Sequence, residues 1–227
     1  MNGLEAIVLD FDGVVLESVE VKTRAFVELF DGREPDLVAR IHLDNPGLTR
    51  FEKFRMISER LFGSYDEGLA PDLDAGFSAI VRREMSSCAF VPGAPEFLRA
   101  RAGRHRLFVA SAAPQAELRE IVEERGLAPF FERVHGAPRA KPEILAAILA
   151  DASLAPDRAV FVGDAPGDQR AAEQVGIPFV GRTGGADTPE LDADAALATV
   201  EDLSELDRRW EEIAALAASV RVEGAGR

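Results

Sequence analysis

Two aspartates separated by one phenylalanine, Asp10 and Asp12, close an apolar run at residues 6–11, and Gly13 follows at once. On an extended segment alternate residues point the same way, so both carboxylates can share a face while Phe11 packs behind them. Gly13 then leaves room for a tight turn with an exposed amide. Two further apolar runs end in polar residues: 106–110 is followed by Ser111, and 159–162 by Gly163 and Asp164. Grouped carboxylates repel one another and titrate upward unless a cation joins them, and an all-oxygen set of this kind suits Mg²⁺. Beside such an ion one carboxylate can attack phosphorus while the other passes protons to a leaving group and from water. The plain alternative is that Asp10 and Asp12 end a strand in a turn, as aspartate commonly does.

These residues need a scaffold that brings strand ends together. Buried strands are expected at 6–11, 106–110, 159–162 and 178–180, with a weaker one at 131–135, and helices between them at 115–125, 142–152 and 167–175. Alternation of this kind specifies an α/β fold, a doubly wound parallel sheet with a Rossmann-like core, whose ligands bind outside the carboxyl ends of the strands. Asp10, Asp12, Ser111 and Asp164 would all face that crevice. Residues 17–90 break the rhythm with helical patterns alone, at 18–30, 48–62 and 74–85. That is too long for a crossover, so an all-helical cap subdomain is expected there, inserted into a core formed by 1–16 and 91–227. A last amphipathic helix is read at 203–218 with Trp210 packed under it, and 220–227 as a frayed tail.

Composition narrows the function classes. With 227 residues, 47% of them hydrophobic, the chain can bury one good core and a small second one. No apolar run reaches the ~18 to 20 residues that span a bilayer, and the first residues lack the pattern of a signal peptide, so a cytoplasmic protein is expected. A net charge of −14 argues against nucleic acid or an anionic membrane as partner. A phosphate substrate would therefore need positive charge supplied locally. The chain has 23 Arg and only three Lys, Lys22, Lys53 and Lys141, which makes each lysine worth attention. Cys88 reads as a small buried helix residue, and His42, His105 and His135 show no ligand spacing.

Four segments in order, DFDGVV (10–15), ASAAP (110–114), RAKPE (139–143) and GDAPGD (163–168), resemble the motifs of the haloacid dehalogenase superfamily. The helical insertion is similar to the cap of its phosphoglycolate phosphatase and beta-phosphoglucomutase group. The resemblance implies Asp10 as nucleophile, Asp12 as general acid and base, and Ser111, the Ala112 amide, Gly13 and Lys141 around the phosphate. It places Mg²⁺ on Asp10, the Asp12 carbonyl and Asp164. Asp168 is a metal ligand, an anchor for Lys141, or an acidic residue of a helix first turn, and the anchor role is favoured. The activity implied is a phosphatase acting on a small phosphorylated metabolite through an aspartyl phosphate. A phosphosugar mutase and a non-catalytic metabolite-binding protein are the alternatives. Two residues depart from the common pattern: Val14 stands where many members have Thr, and Glu17 where Asp often precedes Ser. Substrate choice is expected from the cap, where the glycine loop of NPGLTRFEKFR (45–55) would present Thr49 and Arg50, with Lys22 a further candidate.

Overall fold

The computed structural model describes residues 3–45, 48–185 and 190–224. Six strands form one parallel sheet in the order β3-β2-β1-β4-β5-β6, from β1 (Ala6–Leu9), β2 (Arg106–Pro114), β3 (Arg133–Ala137), β4 (Ala159–Gly163), β5 (Phe179–Arg182) and β6 (Ala198–Val200). Because β1 lies at the centre it is buried on both faces, which is why its sequence is apolar throughout rather than alternating. One face carries Ala6, Val8, Phe108, Ala110, Phe161 and Phe179, packed against Ile144, Leu145 and Ile148 of α7 (Lys141–Ala152) and Ala171 and Ala172 of α8 (Pro166–Val175). The alternate residues Ile7, Leu9, Leu107, Val109, Val160 and Val162 are equally buried. By the period of two they face the other side. The helices left to cover that side are α5 (Ala94–Arg101), α6 (Gln115–Glu124), α9 (Leu203–Arg208) and α10 (Trp210–Gly224). Trp210 is buried and meets the Phe97 ring edge-on at 5.8 Å.

The expected last helix is therefore two, parted at Arg209, and nothing in the sequence marks the break. Residues 220–224 of the expected tail are helical; 225–227 lie outside the described residues. No helix among the described residues is long and apolar enough to cross a membrane.

The chain divides into two compact units, residues 1–17 with 89–227, and residues 18–88. The second is helical: α1 (Val19–Leu29), α2 (Pro35–Leu43), α3 (Arg50–Phe62) and α4 (Ala70–Met85). Its centre is a trio of rings, with Phe26 4.5 Å from Phe77 and both 5.8 Å from Phe54. Edge-to-face and tilted ring packing of this kind, with Val38, Ile57, Val81 and Met85 also buried, gives the unit its own core.

Candidate active site

The register of the central strands decides what meets at their carboxyl ends. Leu9 pairs with Val109 on one side and Val162 on the other, and the Asp10 amide donates to the Val162 carbonyl at 2.8 Å. The residues that follow emerge side by side: Asp10 to Asp12 from β1, Ser111 from β2 and Asp164 from β4. β2 runs on to Pro114 instead of ending at Ala110, but its register against β3 shifts between those two residues. That irregularity is where Ser111, Ala112 and Ala113 sit. Ser111 is fully buried; its hydroxyl accepts from the Ala113 amide at 3.1 Å and lies 3.4 Å from Asp12 Oδ2. Ala112 beside it is exposed.

Asp10 is buried and held at both oxygens. Oδ1 accepts from the Phe11 amide at 2.7 Å, and Oδ2 accepts from Lys141 Nζ at 2.6 Å. Lys141, the first residue of α7, also donates to Asp168 Oδ1. Asp168 in turn accepts from the Asp164 amide at 3.3 Å and the Ala165 amide at 3.2 Å, closing the amino terminus of α8. Its carboxylate is thus engaged by an ammonium and two amides. The approach of α8 to β4 depends on Gly163, where a Cβ would lie 2.5 Å from that of Asp168.

Carboxylate oxygens of Asp10, Asp164 and Asp168 come within 4.8 Å of one another. Burial, and then the neighbouring Asp168, push the Asp164 carboxyl up to about 7. Burial likewise raises Asp10 well above the ordinary carboxylate range, opposed by Lys141 and reinforced by Asp168, Asp164 and Asp12. Lys141 is held above its usual value by the two carboxylates it touches, against the effect of its own burial. Lys141, with the Arg182 guanidinium also within electrostatic reach of Asp164, is set against the carboxylates of Asp10, Asp12, Asp164 and Asp168, and the remaining deficit of positive charge is one that a hard divalent cation fits by charge and by donor type.

Gly13 has φ +71°, the left-handed turn that glycine adopts freely. The exposed amide expected there is not found: Gly13 is buried and its N–H donates to the Leu16 carbonyl at 2.8 Å. The sequence reading also overlooked Arg182. Its guanidinium, at the end of β5, donates to the Gly13 carbonyl at 2.8 Å and to both oxygens of Glu17 at 2.6 and 3.0 Å. The signal is in the sequence: the strand expected at 178–180 is followed two residues on by Arg182, which ends the strand in the structure.

Within residues 18–88, Thr49 caps α3: its hydroxyl accepts from the Glu52 amide at 3.3 Å, and Glu52 Oε2 accepts from the Thr49 amide at 2.7 Å. Arg50 reaches Asp74 Oδ1 at 3.1 Å and Ser78 Oγ at 2.7 Å, with its guanidinium 4.8 Å above the Phe77 ring. An anion would have to compete with Asp74 for it. Pro46 and Gly47 of the expected glycine loop lie outside the described residues. Lys22 lies on α1 within electrostatic reach of Lys53, which is buried with Nζ 2.9 Å from His42 Nδ1 and 3.2 Å from the His42 carbonyl. Burial first, and then Lys22, lower Lys53 to about 8.

Comparison with known proteins bears on the same residues. Residues 4–176 match the family model of haloacid dehalogenase-like hydrolases. A phosphoglycolate phosphatase of Rhodospirillum rubrum is 30% identical over 219 residues, covering 89% of this chain and 89% of that protein. A solved structure described as a predicted phosphoglycolate phosphatase from Haemophilus somnus has TM-score 0.77 at 18% identity, over 90% of this chain and 97% of that one. CbbY from Rhodobacter sphaeroides, in complex with phosphate, has TM-score 0.74 at 22% identity, over 89% and 96%. At such identities these two structures speak for the fold. The family match runs from before Asp10 to beyond Asp168 and so takes in every strand end that meets in the aspartate cluster; this chain belongs to the haloacid dehalogenase-like hydrolases and is a phosphatase among them, a phosphoric monoester hydrolase.

Proposed function

We propose that the protein hydrolyses the phosphate ester of a small phosphorylated metabolite, with a phosphorylated short-chain acid such as phosphoglycolate as the first candidate, and that Asp10 is the nucleophile. The substrate class is suggested by the Rhodospirillum rubrum relative. The observation that carries the mechanism is the buried pair of Asp10 and Lys141 at the carboxyl end of the central strand. An ammonium on one carboxylate oxygen opposes the rise that burial imposes on Asp10 and fixes its orientation, leaving lone pairs on the other oxygen to attack.

In the first half-reaction an Asp10 oxygen attacks phosphorus, the ester P–O bond breaks, and Asp12 gives its proton to the departing alkoxide. In the second, water attacks phosphorus, Asp12 takes the proton from that water, and the bond to Asp10 breaks to release phosphate. Lys141 offsets charge on the transferring oxygens while Asp168 holds the ammonium in place. Ser111 and the Ala112 amide are assigned to phosphate binding. Asp10 and Asp164, with the Asp12 carbonyl, would hold a divalent cation, which we assign as Mg²⁺. When bound it supplies charge neutralisation that brings a phosphate dianion to a carboxylate.

The test is phosphate release from a panel of phosphorylated metabolites, with Mg²⁺ and with chelator. Turnover of at least one short-chain substrate that stops on chelation is expected. Full activity in chelator would contradict the metal assignment, and full activity of Asp10→Asn would contradict the nucleophile.

A further inference from the structure

Arg182 is among the most buried arginines of the chain, with its side chain 4% exposed, and nothing in the mechanism above uses it. Its hydrogen bonds go to three residues on two segments, both ends of one turn and the chain beyond β6. One guanidinium nitrogen reaches the Gly13 carbonyl, the residue directly after Asp12; two nitrogens form a fork on the Glu17 carboxylate; and Nε reaches the Glu201 carbonyl at 3.3 Å. Glu17 is the last residue of the first unit before the helical segment starts. Its backbone is fixed as well, since its amide donates to the Ala89 carbonyl at 2.9 Å, where the chain returns. The turn between Asp12 and Glu17 is therefore tied at its start by its own bond from Gly13 to Leu16, and at both ends by one rigid planar cation. A carboxylate at position 17 one methylene shorter would not span the same fork. This gives the departure noted in the sequence, Glu rather than Asp before Ser18, a physical reason.

We infer that the Arg182–Glu17 pair is a positioning device for the acid: by holding the Gly13 carbonyl and the exit of the turn, it sets where the Asp12 carboxyl meets the leaving-group oxygen. The inference rests on Asp12 being the general acid and base. A misplaced acid harms a substrate in proportion to how much its leaving group needs a proton. An alkoxide needs one; a 4-nitrophenolate hardly does.

The experiment compares kcat/KM for 2-phosphoglycolate and 4-nitrophenyl phosphate in Arg182→Gln, Arg182→Lys, Glu17→Asp and Asp12→Asn, each with its melting temperature. kcat/KM reports the steps up to phosphorylation of Asp10, so the proton taken from water later does not enter. The ratio of the two values on one preparation is also independent of the fraction folded, so a variant that is merely less stable lowers both equally. We expect Arg182→Gln and Glu17→Asp to lose about 30-fold on phosphoglycolate and under about threefold on the aryl ester, within the range a displaced acid can cost. Arg182→Lys, which keeps the charge without the fork, should fall between these and the wild type. Equal losses on both substrates, or none, would overturn the inference. If Asp12→Asn is selective while the Arg182 and Glu17 variants are not, the positioning role fails and the acid stands. If Asp12→Asn shows no selectivity either, the assignment of the acid fails and the inference goes with it.

Discussion

At the scale of single residues, the carboxylates of the cluster outnumber the cations that touch them. Asp164 has a pKa of about 7 in the folded protein because burial and Asp168 oppose its ionisation. A carboxyl raised above its unfolded value adds stability at low pH, and that stability is lost as the pH rises through about 7. A cation that binds the ionised form reverses the loss and must displace the proton below that pH. The increase in melting temperature given by Mg²⁺ over chelator should therefore be small near pH 5.5 and grow to a plateau above about pH 8. An increment that does not change with pH would mean that Asp164 is not a ligand. The convergence of Asp10 and Asp164 was legible in the sequence, because strand-end aspartates in a parallel sheet have one crevice to face. The bond from Lys141 to Asp168 was readable only as one of three options, since residues 27 apart meet only through the packing of α7 beside α8. The buried Gly13 amide was not readable at all, because a glycine reveals that a turn is there and not which carbonyl its N–H will find.

At the scale of elements, the fully buried strands at the centre of the sheet declared themselves, and β6 and α2 did not. β6 has three residues at the sheet edge, and α2 buries only Val38, so neither has a period long enough to detect. The helical segment also shows why exposure cannot be guessed from charge. Arg50, expected from the sequence to be presented for substrate choice, is held by Asp74 and Ser78. Arg50→Ala should lower stability by about 1 to 3 kcal/mol, as expected for losing partly buried bonds to a charged group, seen as a lower midpoint in urea. An unchanged midpoint would show that the contact contributes nothing. Lys53 tests the opposite sign. Its folded value, lowered from 10.5 to about 8, means the unfolded chain binds the proton more tightly, so the penalty of burying the ammonium is fullest below about pH 8 and fades as the pH rises towards 10.5. A depression of that size corresponds to ~3 kcal/mol. Lys53→Met should therefore stabilise the protein at pH 7, with the advantage shrinking by pH 10. A variant less stable than wild type at pH 7 would refute the assignment of that penalty.

At the scale of the whole molecule, a chain of net charge −14 acts on a dianionic group, and the conflict is resolved locally. The average field repels phosphate; in the mechanism proposed above, one buried lysine, a divalent cation and the Ala112 amide would supply attraction over a few ångströms. Burying the carboxylates raises their proton affinity and also removes water that would compete for the phosphoryl group. The central claim, that the phosphoryl group passes through Asp10, is tested most directly by trapping it there. Enzyme turning over 2-phosphoglycolate in the presence of Mg²⁺ is quenched, treated with borohydride, digested and sequenced by mass spectrometry; an acyl phosphate is reduced to the alcohol, so the account predicts homoserine at position 10, dependent on substrate and absent from Asp10→Asn. Sustained turnover with an intact aspartate at position 10, or with the reduced residue at another position, would contradict it.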